Sequence, residues 1–393
     1  MQKISLSPKD PEFVQNPYAT YARLRGMGGG MVYWEDLGLP VVAGYDGVSM
    51  ALRDARFGRE APEGFAPLIP PHLAGFYALE AHSMLELDGD RHRRLRGLVL
   101  RAFTSRRIKA LVPDIEAVTD ALLDQITGPC DLLDALCRPL PVRIIARLLG
   151  VPESLSDDLL AWSNAMVALY TPARSRATED AAESAARDFA AFMRAYIEER
   201  RATPADDLIS HLIAAEAEGT RLSTDEMITT CILLLNAGHE ATVHTLGIAV
   251  KTLLSQGLGA EVLTSETIDT TIEEVLRYDP PLHFFHRFVL EDTRFLGHDL
   301  KRGDKIGLLL ASAGRDDDIW DAPDRFDPAR PIKQNLAFGA GVHFCVGAPL
   351  ARLELRVALP RLFARFPDLA LAGAAPFADT WHFHGLARLP VTL

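Results

Sequence analysis

One stretch of this 393-residue chain concentrates residues that can do chemistry. Phe338-Gly339-Ala340-Gly341-Val342-His343-Phe344-Cys345-Val346-Gly347 sets one cysteine among three glycines. The glycines let the backbone take positive φ or come close to another group. A helix is predicted from Ala348, so Cys345 stands beside a helix N-terminus. The dipole and free N–H groups there stabilise a thiolate. That suits an anionic metal ligand or a nucleophile; the structural alternative is a buried cysteine in a glycine-rich turn. Cys130, Cys137 and Cys231 are read as structural.

Three further groupings carry charge. Asn236-Ala237-Gly238-His239-Glu240-Ala241-Thr242 falls inside a long helical pattern. A mid-helix glycine costs about 1 kcal/mol relative to alanine, which is easier to explain if something approaches the backbone. Glu274 and Arg277 lie three residues apart and share a helix face. His92 and Arg96, four apart, do the same. They open a segment, Arg91 to Lys109, with eight Lys/Arg residues and no acid.

The elements that must position these residues are mostly helices. Apolar residues recur at spacings of three and four over Ile108–Ile126, Ser154–Tyr170, Ala177–Arg201, Asp206–Glu218 and Thr224–Leu254. Ser223-Thr224-Asp225-Glu226 is an N-terminal signal for the last of these. Cys231 to Leu235 is apolar all round, as befits a helix at the centre of a large fold. Another helix is predicted from Asn16-Pro17 to Gly26, one over Val48–Ala55, and a last one from Ala348 to Phe366, kinked or shortened by Pro360. Met31–Trp34, Pro40–Ala43, Phe284–Leu290 and Lys305–Leu310 read as strands, and Trp381–Leu393 as strands around a turn. Residues 60 to 72 are proline-rich, apolar and irregular. The fold class is mainly α with a small β part, and no composition break marks a domain boundary.

Composition narrows the function. Half of the chain (48%) is hydrophobic and the net charge is −12. That excludes a disordered chain and disfavours nucleic acid as a partner. Four cysteines without a CxxC pair argue against a zinc ribbon and fit a reducing compartment. No signal peptide or membrane span is read, so a cytoplasmic location is expected.

The segment Phe338 to Gly347 resembles the haem-binding loop FGxGxHxCxG of cytochrome P450 haem-thiolate monooxygenases. Phe338, Gly339, Gly341, His343, Cys345 and Gly347 all match. The resemblance extends from Pro17 to the tail and implies the triangular, helical P450 fold, one catalytic domain over residues 1–393. It implies haem b (iron protoporphyrin IX) with Cys345 as axial metal ligand, Phe338 shielding the sulfur, and His343, His92, Arg96 and Arg287 serving the propionates. Glu274, Arg277 and Arg325 would form a buried structural network behind the haem. Ala237, Gly238 and Glu240 match the family's oxygen-binding groove, but Ala241 stands where a threonine is usual. Thr242 is one residue on, about 100° around the helix. Protons would then come through water linked to Glu240 or from a substrate hydroxyl, or else peroxide would leak.

The implied activity is insertion of one oxygen atom into a small or medium apolar or aromatic substrate, as hydroxylation or oxidative demethylation. Electrons would come from a ferredoxin and an NAD(P)H-dependent reductase. The basic segment would dock the acidic donor. A peroxide-using enzyme and a non-catalytic haem sensor are the rivals. The implied cavity draws on Phe65–Leu85, Trp162–Thr171, Leu233–Ala241, Leu282–Phe285 and Trp381–Phe383, with His283 and His382 as polar anchors.

Overall fold

The longest helix starts where the sequence caps it. Ser223 Oγ accepts the Glu226 N–H at 3.1 Å, and the Glu226 carboxylate accepts the Ser223 N–H at 2.8 Å. This reciprocal capping satisfies two otherwise orphaned donors. The helix runs over Thr224–Ser255, one residue beyond the predicted end. The computed structural model describes residues 1–170, 174–216 and 222–393. Thr171 and the predicted helix end at 217 and 218 lie outside the described residues.

Around this central helix pack Pro139–Leu149, Ser156–Val167 and Arg176–Ala202. Small residues set the approach. A Cβ on Gly238 would lie 3.3 Å from Ile145 of the first neighbour, and one on Gly247 2.8 Å from Leu133. Gly238 therefore answers to helix packing. The closing helix, Ala348–Arg365, packs on Val112–Leu123 and pairs Arg361 with Glu116 and Asp120.

The main sheet joins the two ends of the chain. Its strands are β1 (Lys3–Ile4), β2 (Met31–Trp34), β3 (Leu39–Val42), β4 (Phe57–Gly58), β5 (Phe284–Val289) and β6 (Lys305–Leu309), in the order β1-β2-β3-β6-β5-β4. β5 runs antiparallel to β6, with Arg287 opposite Ile306. Arg287 is thereby fixed by a ladder rather than left on a loop.

Several boundaries differ from the expectation. Ile108–Ile126 divides into Ser105–Ala110 and Val112–Leu123, because Pro113 falls in the first turn of the second helix, where no N–H is needed. Ser154–Tyr170 becomes a helix over Ser156–Val167 and a tight turn over Ala168–Tyr170. Pro360 does not shorten its helix, which runs unbroken through Arg365. In the tail only Pro390–Thr392 is a strand; Phe383 and Leu386 make single bridges to Leu282 and Phe377. Among the described residues no helix is long and apolar enough to cross a membrane.

Candidate active site

Cys345 sits at the end of a loop folded back on itself. Its N–H donates to the Phe338 carbonyl at 3.0 Å. Gly339 and Gly341 both take φ +69°, and a Cβ on Gly341 would lie 2.3 Å from the Leu52 carbonyl oxygen. Only glycine fits there without displacing the backbone of helix Tyr45–Arg53. Helix Ala348–Arg365 follows at once, and the N–H groups of Gly347 and Ala348 point at the Cys345 sulfur. Burial raises the thiol above its ordinary value; those two N–H groups, then Arg96 and Arg352, oppose it. Each stabilises a thiolate. The Arg352 guanidinium lies 4.6 Å from the centre of the Phe338 ring and holds that ring beside the loop.

The basic helix Gly89–Ala102 brings His92 and Arg96 to this loop. Arg96 Nη2 donates to the Phe344 carbonyl at 2.5 Å. The His92 and His343 rings are 4.2 Å apart. Burial, with His343 and Arg96 beside it, pushes His92 down to about 4. His343 spends Nε2 on Asp88, 3.0 Å away, leaving Nδ1 for any other partner. Arg287 is buried and donates only to its neighbour's carbonyl, His286 O, at 3.0 Å. Burial and the nearby Arg59 guanidinium lower Arg287 to about 10. Neither Arg96 nor Arg287 has a carboxylate partner among the described residues.

Unpaired buried cations are expensive. A cysteine sulfur that accepts two N–H groups beside Arg96, with Arg96 and Arg287 both free of salt bridges among the described residues, fits a bound group carrying a metal and carboxylates. Haem is such a group.

The central helix carries the second group of predicted site residues. It is largely buried; apart from Gly238, the residues in its middle that keep accessible surface are Leu233, Ala237, Glu240, Ala241 and His244. Their spacing of four, three, one and three puts them on one stripe. Glu240 is gripped at this stripe. His244 Nε2 lies 3.1 Å from Glu240 Oε1, and His239 Nε2 lies 3.5 Å from Oε2. Burial raises the Glu240 carboxyl, but the hydrogen bond and charge of His244, then His239 and Arg138, outweigh it and hold the group below its usual range. Thr242 is buried and returns its hydroxyl to the Gly238 carbonyl at 3.3 Å; Ala241 offers only its carbonyl, which accepts from Thr245 at 2.7 Å.

Behind helix Ile268–Tyr278 the expected network has a different third member. Glu274 and Arg277 form a two-pronged pair at 2.7 and 2.8 Å. The second arginine on Glu274 is Arg330, at 3.1 Å. The Arg325 side chain is 71% exposed and pairs with Asp327; only its carbonyl joins the network. The chain turns at Ala322, and that turn sends Arg325 outward.

Other expectations are corrected too. His283 is no cavity anchor: it is fully buried, with Nδ1 3.0 Å from Tyr21 Oη. Trp381 packs into the core with Phe13, Trp34 and Phe284. Asp88, Arg59 and Arg330 went unnoticed. Asp88 directly precedes the basic helix, which was a signal available for it.

Comparisons with known proteins bear on the fold and the family. A family model described as cytochrome P450 matches residues 266–375. Cytochrome P450 107B1 of Saccharopolyspora erythraea is 36% identical over 97% of this chain and 96% of its own length. Cytochrome P450 monooxygenase PikC of Streptomyces venezuelae is 35% identical over 99% and 94%. The crystal structure of P450BioI in complex with an acyl carrier protein carrying hexadec-9Z-enoic acid superposes with a TM-score of 0.90 at 32% identity, covering 98% of this chain and all of that one. With such identity along nearly the whole chain, this protein belongs to the cytochrome P450 family, the oxygen-incorporating oxidoreductases built around a haem with a cysteine thiolate on its iron.

Proposed function

We propose that the 393 residues act as one catalytic domain that inserts one oxygen atom of dioxygen into a small or medium apolar or aromatic substrate. The reading rests first on Cys345, whose sulfur receives two N–H groups beside Arg96, an arginine with no salt-bridge partner among the described residues. Haem b is the group assigned here; held by the Cys345 thiolate, it would supply dioxygen activation. Arg96 and Arg287 would pair with its two carboxylates, and His92, neutral above about pH 4, would add a hydrogen bond. His343 orders Asp88 and His92 and adds Nδ1. Gly339 and Gly347 give the loop its turn and its N–H to sulfur.

Ala241 leaves the usual hydroxyl missing. Glu240 and His244 take over proton handling, since they already share a hydrogen bond on the accessible stripe. Ala237 keeps that stripe low, Gly238 serves the packing against Ile145, and Thr242, tied to its own helix, plays no part in proton transfer. Replacing Ala241 by Thr tests this. Unchanged product per NADH consumed supports the Glu240–His244 route, whereas a strong rise with unchanged substrate binding shows that it is incomplete.

The substrate reading is an apolar carbon skeleton, in keeping with the acyl chain borne by the P450BioI partner. Electrons come from a separate ferredoxin-type protein with an NAD(P)H-dependent reductase. Arg101, Arg106 and Lys109 stay exposed for it, whereas Arg93, Arg94 and Arg107 are paired with Asp90, Glu226 and Asp206. Reversing Arg101 and Arg106 should slow reduction and flatten its salt dependence. All four cysteines are free, which fits the cytoplasm.

The deciding experiment is the spectrum of reduced protein with carbon monoxide. The thiolate-type Soret band is expected, and Cys345→Ser should abolish it in a folded protein. Its absence from the wild type defeats the reading.

A further inference from the structure

We infer that Asp279, His283 and His384 form a binding site for one divalent cation of the zinc class, far removed in role from the haem iron. Asp279 Oδ1, His283 Nε2 and His384 Nδ1 all lie within 4.8 Å of one another. Oδ1 is 3.2 Å from His384 Nδ1 and 3.7 Å from His283 Nε2. Tetrahedral zinc with bonds of about 2.0–2.1 Å spaces its ligands by about 3.3 Å. Two imidazoles and a carboxylate are a usual donor set for it.

The remaining ring nitrogens are oriented as ligands require. His384 Nε2 donates to the Val14 carbonyl at 3.0 Å. His283 Nδ1 meets Tyr21 Oη at 3.0 Å. Such outer contacts fix the tautomer and turn the other nitrogen to the metal. With Nε2 committed as donor, a neutral His384 presents a lone pair at Nδ1 to the Asp279 carboxylate. Two acceptors face each other, so a proton or a cation must lie between them.

A proton there satisfies only that pair. His283 Nε2 stays buried with no hydrogen-bond partner, aimed at the same carboxylate from 3.7 Å. A cation satisfies all three donors. Tyr18 Oη, 2.6 Å from Asp279 Oδ1, or a water can complete the fourth position. The cations nearby are engaged elsewhere: Arg315 with Asp324, and Lys251 over the Phe377 ring.

The site would act as a clamp. Val14, Tyr18 and Tyr21 belong to the first helices, Asp279 and His283 to the loop after helix Ile268–Tyr278, and His384 to the C-terminal turn. The His283 N–H also donates to the His382 carbonyl, and the His384 N–H to the Pro281 carbonyl. One ion would lock three remote segments together.

The test is elemental analysis of the holoenzyme after dialysis against zinc and then against metal-free buffer. About one zinc per haem iron is expected. His283→Gln and His384→Gln should each cut zinc content at least about tenfold while keeping the carbon monoxide spectrum. A zinc-free wild type means that a proton alone holds the cluster, and overturns the proposal. So does zinc retained in both variants. If neither variant folds, zinc-edge X-ray absorption on the wild type decides: two imidazole ligands support the site, and any other shell defeats it.

Discussion

Two buried clusters of charge lie a short way apart in the fold, and only one balances itself. Behind helix Ile268–Tyr278, Glu274 meets Arg277 and Arg330, and the spare donors of both arginines reach the carbonyls of Gly314, Asp321, Ala322, Pro323 and Arg325. In the haem-loop region, Arg96 beside Cys345 and Arg287 near Asp88 and Glu86 each donate to one carbonyl and form no salt bridge among the described residues. Folding alone accounts for the first cluster. The second pays for itself only when something else brings negative charge. Arginine burial therefore means opposite things in the two places: a closed network marks structure, and an open one marks a ligand.

Breaking the closed network should have the largest effect. Arg277→Ala leaves Glu274 buried with half its partners, and removing one member of a buried pair costs about 3–5 kcal/mol. Little folded, haem-loaded protein is expected, and urea unfolding of what survives should show the loss. A stability within 1 kcal/mol of wild type, roughly the scatter of ordinary substitutions, would erase the contrast.

Removing a cation from the open cluster should act differently. Arg287→Leu deletes a buried charge, and Arg96→Leu a half-buried one, with no salt-bridge partner among the described residues, so the fold itself should be no less stable. Haem retention should fall instead. A hydrogen bond to a charged group contributes about 1.5–3 kcal/mol, so haem should leave roughly tenfold to a hundredfold faster. Transfer to a haem acceptor measures this. Unchanged retention with lowered fold stability would make the two clusters alike.

Acid should separate them as well. Burial, with Arg59, Lys305 and Arg287 around it, pushes His286 down to about 3. Its ordinary value in the unfolded chain is about 6.5. Between those values the unfolded chain binds the extra proton, so stability rises with pH across that window and is lost on acidification. His286→Gln should flatten that slope by up to one proton. Urea midpoints from pH 6.5 to 4 will show it, and an unchanged slope refutes it.

The comparison also explains what could be read in the sequence. The loop around Cys345 was legible because its chemistry is local: glycine placement, a cysteine and a helix start all lie within ten residues. The central helix was legible because its cap and apolar run are local too. His244 was within reach, being four residues from Glu240 on the same helix. Partners that arrive from afar were not legible. Asp88 meets His343 across 255 positions; its place just before the basic helix marks it, but not its partner. The family resemblance puts Trp381 at the cavity, yet large aromatic residues fill cores equally well, and here its ring lies 5.4 Å from that of Trp34.

Arg325 and Arg330 give the smallest effect and the sharpest test of that limit. Both lie in one irregular loop, and in sequence Arg325 has the better claim, beside Pro323 and Phe326. The fold reverses it. Arg330 Nε lies 3.1 Å from Glu274, its side chain 11% exposed. The Arg325 side chain reaches only Asp327, and a solvated pair of this kind contributes little. Arg325→Ala should therefore stay within about 0.5 kcal/mol of wild type. Arg330→Ala, which strips one cation from a buried carboxylate, should cost several times more. Urea midpoints of the two variants suffice. If Arg325→Ala proves the costlier, the closed network has been assigned the wrong arginine, and the contrast with Arg96 and Arg287 loses its reference point.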